Sequence, residues 1–273
     1  MRAAGRVLGT LVVVGAVGVA GVLGGARLLE EVRGPRCEFR LEHRVETLAP
    51  EQAANAATIS MVAVDRGLPP RAVTIALATA IQESKLRNLT YGDADSLGLF
   101  QQRPSQGWGT PEEVTDPVYA ANAFYDVLVQ VPDWQDGVVT EVAQEVQRSA
   151  FPEAYADHEW EGRVLASVLT GHVPAGMGCR LDPAGDTGSA GSVLAKASET
   201  FGADGRAEDR TAVLEAADQT TAWAIASWAV AHAEAEDVVE VRVGDRRWSR
   251  EDSPLTWSPA PATEGWQVRV TVG

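Results

Sequence analysis

One carboxylate, Glu83, closes a run in which only Thr74 and Thr79 interrupt the apolar residues from Ala72 to Ile81. Ten residues on, Tyr91-Gly-Asp-Ala-Asp-Ser96 carries two more carboxylates, Asp93 and Asp95, and Gly98-Leu-Phe-Gln101 follows, with Gln102 next to it. These residue types suit proton transfer to a leaving oxygen, as in cleavage of a glycosidic bond. Such an acid works near neutral pH only when its pKa stands above the usual carboxylate range. Apolar neighbours on the helix disfavour the anion, and so does the negative end of the helix macrodipole. Lys85 and Arg87 act in the opposite sense if they turn back towards Glu83. Should Asp93 or Asp95 face Glu83 across several ångströms, that residue is a candidate second carboxylate, positioning water for hydrolysis. An Asp-X-Asp pair in a glycine-containing turn is also ordinary turn chemistry. It does not continue as a calcium loop, because Leu97 occupies the next ligand position.

The elements that must hold these residues read mostly as helices. Ala49-Pro50-Glu51 opens a helix running to about Val64 and closed by Gly67. Pro69-Pro70 starts a second, with proline in the first turn where its missing N–H costs nothing. Its long apolar stretch predicts burial on most sides, and Glu83 lies in its last turn. Asn88 and Gly92 mark the exit, and Ser105-Gln-Gly-Trp-Gly109 is a loop carrying Trp108. Three more helices follow: from Asp116-Pro117 through Tyr119 to Gln130, from Thr140 to Arg148, and from Pro152 to about Leu169 with a break near His158.

Over about thirty residues from Gln82, the order Glu83-Ser84, Asp95-Ser-Leu-Gly-Leu-Phe-Gln101 and a helix with Tyr119 and Tyr125 resembles the active-site region of the lysozyme-like superfamily, in particular lytic transglycosylases. The resemblance implies a mainly α lysozyme-like domain acting on peptidoglycan glycan strands. One carboxyl then serves as acid and later as base, while the muramic acid 6-hydroxyl attacks its own anomeric carbon. Carried over residue by residue, Glu83 is the acid/base and Ser96 the serine neighbouring it. Gln101 hydrogen-bonds a sugar substituent, and Tyr119 or Tyr125 lines the cleft. Tyr91, Gln102 and Trp108 join the substrate-binding candidates. The Ala-Tyr-Asn-Ala-Gly segment common in such enzymes is absent. Val142-Ala-Gln-Glu-Val-Gln147 and then Ser149-Ala-Phe-Pro-Glu-Ala-Tyr155 stand in its place, so Gln144 and Gln147 are assigned to the cleft wall. Two alternatives stay open: a hydrolytic muramidase, and a non-catalytic glycan-binding or cell-envelope scaffold protein.

Around this region, Arg2 and Arg6 precede an uncharged stretch, residues 7–26, long enough to cross a bilayer. We read it as a transmembrane helix behind a cytoplasmic segment 1–6. Gly24-Gly25-Ala26 also suits a cleaved signal peptide. Either way the bulk is placed outside the cytoplasm, as a single-pass membrane protein or a secreted one. Cys37 and Cys179, the only cysteines, are there expected to form a disulfide. Residues 27–47 read as a juxtamembrane segment, 48–183 as the catalytic domain and 184–192 as a flexible linker. Residues 193–273 read as a small α+β domain, with a long helix from about Thr211 to Ala235 on a short antiparallel sheet of Val238–Val243, Arg247–Ser249 and Gln267–Val272. Its tryptophans (Trp223, Trp228, Trp248, Trp257 and Trp266) read as packing residues, with a saccharide-stacking face as the open alternative, and an envelope protein is the partner class open to it. A net charge of −15 argues against nucleic acid. The four scattered histidines show no metal-ligand spacing, and no cofactor is expected.

Overall fold

In the computed structural model, which describes residues 34–147 and 152–273, proline opens each of the first four helices. These are α1 (Pro50–Asp65), α2 (Pro70–Ser84), the single turn α3 (Pro111–Val114) and α4 (Pro117–Leu128). A fixed φ with no N–H to satisfy suits that position. Next come α5 (Val139–Gln147), a 3-10 segment at Pro152–His158, α6 (Glu159–Leu169), α7 (Ala190–Phe201) and α8 (Gln219–Ala231). The expected break near His158 is the junction between the 3-10 segment and α6.

Strands β1 (Arg36–Leu41), β2 (Arg44–Leu48) and β3 (Met177–Arg180) form an antiparallel sheet in the order β2-β1-β3. A second antiparallel sheet contains β4 (Gly205–Glu208), β5 (Thr211–Leu214), β6 (Val238–Val243), β7 (Arg246–Ser249), β8 (Ser258–Pro259) and β9 (Val268–Val272). Its order is β4-β5-β9-β6-β7-β8.

The mainly α expectation is therefore corrected. The chain is mixed α/β, 42% helical and 19% strand, with two sheets. No helix among the described residues is long and apolar enough to cross a membrane, and residues 7–26 lie outside the described residues. The missed strands have physical reasons. In β1 the inward Cys37 and Phe39 alternate with charged residues, a short period-2 signal inside a segment read as a spacer. All of β4 is exposed, so it carries no apolar alternation. Thr211–Leu214 is a strand and not the start of the long helix. That helix begins at Gln219, where the Asp218 side chain accepts from the Thr221 amide at 2.8 Å.

Residues Arg36–Gly273 pack as one compact unit. Helix α8 is buried almost all round because it touches α1 and α6 on one side and β6 and β9 on the other. Trp223, Trp228 and Trp248 are core residues, whereas Trp266 is exposed. The Trp257 indole donates to the Met177 carbonyl at 2.7 Å, tying the two sheets together. Cys37 and Cys179 are directly opposed on β1 and β3 and form the disulfide, which closes a loop of 142 residues.

Candidate active site

Glu83 projects from the last turn of α2, whose residues from Ala72 to Ile81 are all buried as the apolar run predicts. The helix does not end on glycine. Lys85 and Leu86 both adopt left-handed backbone angles, φ 55° and 58°. Each costs on the order of 1 kcal/mol outside glycine. Their conformation turns the chain back so that the Leu86 amide reaches the Ala80 carbonyl at 3.1 Å. Two side chains of α1 hold this turn: Gln52 Nε2 donates to the Lys85 carbonyl at 2.7 Å and Asn55 Nδ2 to the Leu86 carbonyl at 2.9 Å. The buried Ser84 hydroxyl lies 2.7 Å from the Leu99 carbonyl and joins the helix end to the following loop.

Over the Glu83 carboxylate stands a residue that sequence reasoning did not single out. Tyr155 Oη donates to Glu83 Oε1 at 2.7 Å, from a ring that is itself buried. The Gln147 side chain is a second hydrogen-bond partner of Glu83, and its Nε2 also donates to the Phe100 carbonyl at 2.7 Å. Burial pushes the Glu83 carboxyl above the usual carboxylate range, and the bonds from Tyr155 and Gln147 pull part of the way back. The 3-10 segment carrying Tyr155 is anchored again three residues on, where His158 Nε2 lies 3.0 Å from Gln82 Oε1.

The loop opposite is tightly wound. Bridges Leu89 to Gly98 and Leu97 to Gln102 pinch it, and Ala94 and Gln101 are left-handed, at φ 54° and 48°. Glycine is required at Gly92, where a Cβ would meet Gln101 Oε1 at 2.0 Å and the Ser96 carbonyl at 2.6 Å. Ser96 is buried within this loop. The half-buried Gln101 spends its amide on the loop, with Nε2 3.2 Å from the Gly98 carbonyl. Gln102 is turned into the core and donates to the Ala120 carbonyl at 3.1 Å, so it does not line a cleft.

Several other candidates also move. Tyr125 is fully buried and donates to the Ile59 carbonyl at 3.1 Å; burial pushes its phenol pKa up. It is a core residue, so of the two tyrosines only the partly exposed Tyr119 reaches the surface, its hydroxyl close over Gly109. Asp95 accepts from the Ser105 amide at 2.8 Å, from Arg103 Nε at 2.9 Å and from the Ser105 hydroxyl at 3.0 Å. These bonds lower its pKa to about 2, so it is a loop fastener held as an anion. Asp93 and Tyr91 are exposed. Trp108 is partly buried against the core, and Gln144 is half-buried on α5.

No protein-family model matches the chain, and a comparison with curated proteins gives no match either. What speaks for a site is the local arrangement. A desolvated acid stands at a strained helix end with two neutral donors on it, while Asp95 is engaged within its loop and Asp93 faces water.

Proposed function

We propose that the protein is an extracytoplasmic peptidoglycan glycosidase of the lytic transglycosylase kind, cleaving the bond between muramic acid and glucosamine residues with Glu83 as the single acid/base. The observation that carries this reading is the Glu83 carboxyl, pushed towards its protonated form by burial while Tyr155 and Gln147 fix its orientation. In the proposed cycle Tyr155 holds Oε1 and the acidic proton sits on the other oxygen. That proton passes to the glycosidic oxygen as the bond to the anomeric carbon breaks and an oxocarbenium-like centre develops. The muramic acid 6-hydroxyl then bonds to the anomeric carbon, and its proton returns to Glu83. One C–O bond is broken and one is formed, no water is consumed, and the acid is regenerated.

Asp95 supports this reading over a hydrolytic one. A carboxylate already held by three donors is poorly placed to activate water. The experiment is mass spectrometry of peptidoglycan digested by the full chain in detergent, with Glu83→Gln in parallel. Anhydro-muropeptides from the wild type alone are expected. Reducing-end products would turn the reading to a muramidase. Glycan binding by both proteins with no product would leave a non-catalytic binding protein.

A further inference from the structure

Far along the chain from Glu83, the register of the six-stranded sheet aligns arginines across its strands. Arg206 is opposite Val213, Val213 opposite Arg269, Arg269 opposite Arg242, and Arg242 opposite Arg247, with Ser258 closing the row. In β9 the buried Val268, Val270 and Val272 alternate with Arg269 and Thr271. The row therefore lies on the face turned away from α8. Like charges directly opposite one another destabilise a sheet, and this chain has few cations to spare at −15.

Three of the four are neutralised internally. Arg206 pairs with Glu208 and Glu215, Arg269 with Glu208, and Arg247 with Glu240 and Asp252. Among the described residues Arg242, in the middle, makes no ion pair. Its Nη2 donates to the Pro261 carbonyl at 2.6 Å, and its Nε is buried with no hydrogen-bond partner. Buried donors of this kind call for a ligand or water. Arg242 also lines two hollows, of about 400 Å³ on the side of Ser258 and Pro259 and about 490 Å³ on the side of Thr263 and Gln267.

We propose that this face binds an acidic saccharide, with the guanidinium of Arg242 receiving a sugar carboxylate. A single unneutralised cation matches a monoanion. A phosphate monoester, close to dianionic at neutral pH, would put its second charge against Glu208, Glu240 and Glu264, which rim the same hollows. The flat rings of Pro259 and Pro261 offer apolar contact to a pyranose face. Ser258, Thr263 and Gln267 supply partners for hydroxyls. The site is independent of Glu83 and stands whether or not the chain cleaves a glycan.

The test is isothermal titration of the full chain in detergent micelles with aldotriouronic acid, a trisaccharide bearing a single uronate carboxylate, with maltotriose as the neutral match and glucose 6-phosphate as the dianion. The uronate is expected to bind and maltotriose not to. Arg242→Ala should weaken uronate binding at least about tenfold, the size of a lost charge-assisted bond. Arg242→Lys should fall between, because it keeps the charge and loses the fork. Glu83→Gln should bind as the wild type does, and thermal melts of each variant establish that it is folded. Uronate binding unchanged in folded Arg242→Ala would overturn the proposal, as would no binding by the wild type, equal binding of maltotriose, or tighter binding of glucose 6-phosphate.

Discussion

Replacing Tyr155 by phenylalanine removes one oxygen and leaves the buried ring in place, so it isolates the 2.7 Å bond to Glu83. A hydrogen bond to a charged group contributes roughly 1.5–3 kcal/mol, and the lower end applies because Glu83 keeps some contact with water. The bond favours the carboxylate over the acid, so its loss should raise the proton affinity of Glu83 about tenfold, the equivalent of about 1.4 kcal/mol. The sign follows from the role. An acid that must be protonated loses activity as pH rises through its pKa, and a higher pKa moves that alkaline limb to higher pH. The assay is the pH profile of anhydro-muropeptide release, beside a titration of the Glu83 carboxyl by NMR with ¹³C-labelled glutamate. Both midpoints should move upward together. A Glu83 midpoint that stays in place or moves to lower pH would refute the claim that Tyr155 sets the acid. A moved NMR midpoint with a fixed activity limb would separate Glu83 from catalysis while leaving its environment as described.

The remaining predictions concern the frame. Gly98→Ala should destabilise the protein by more than about 2 kcal/mol in urea unfolding, since a Cβ there meets the Val114 carbonyl at 2.1 Å with φ at +76°. Gly67→Ala, also left-handed but with open space around it, should cost only about 1 kcal/mol. Removing the disulfide in a Cys37→Ala/Cys179→Ala protein should lower stability by up to about 5 kcal/mol, the loop-closure value for so long a span, read as a drop in the unfolding midpoint. His232 is buried beside Trp228, and desolvation lowers its pKa to about 4. Its neutral form is favoured by folding, so this contribution is full above pH 6.5 and is lost as pH falls towards 4, a total of roughly 3 kcal/mol. Unfolding curves across that range should show the slope, and His232→Gln should flatten it.

What the sequence discloses depends on how far apart the cooperating residues lie. The burial of the helix that carries Glu83 was legible because it shows in one local run, the apolar residues from Ala72 to Ile81. Tyr155 was not, because it meets Glu83 across 72 residues and no local period announces the meeting. Tyr125 is a different kind of error. Ala121, Phe124, Tyr125 and Leu128 make up a buried stripe at helical spacing, a pattern of core positions, whereas the resemblance drew Tyr125 into the cleft. The second sheet was partly visible, in the alternation of β6 and β9. Its exposed edge strand β4 was hidden, because pairing with β5 and not apolar patterning makes it a strand.

The strain around Glu83 ties these observations together. Of the ten left-handed residues other than glycine among those described, four (Lys85, Leu86, Ala94 and Gln101) fall between the end of α2 and the loop facing it. Any one of them would relax if its surroundings allowed. At the helix end side chains from α1 hold the backbone in place: Gln52 and Asn55 take the carbonyls of Lys85 and Leu86. Glycine at these left-handed positions would have cost less. Here the chain instead bends sharply after Ser84 and lets Leu86 fold beneath the helix end, fully buried. The tyrosine-bearing 3-10 segment closes over the other side. The cost of that backbone is the physical reason to look for chemistry at Glu83, and it stands apart from any likeness to other chains.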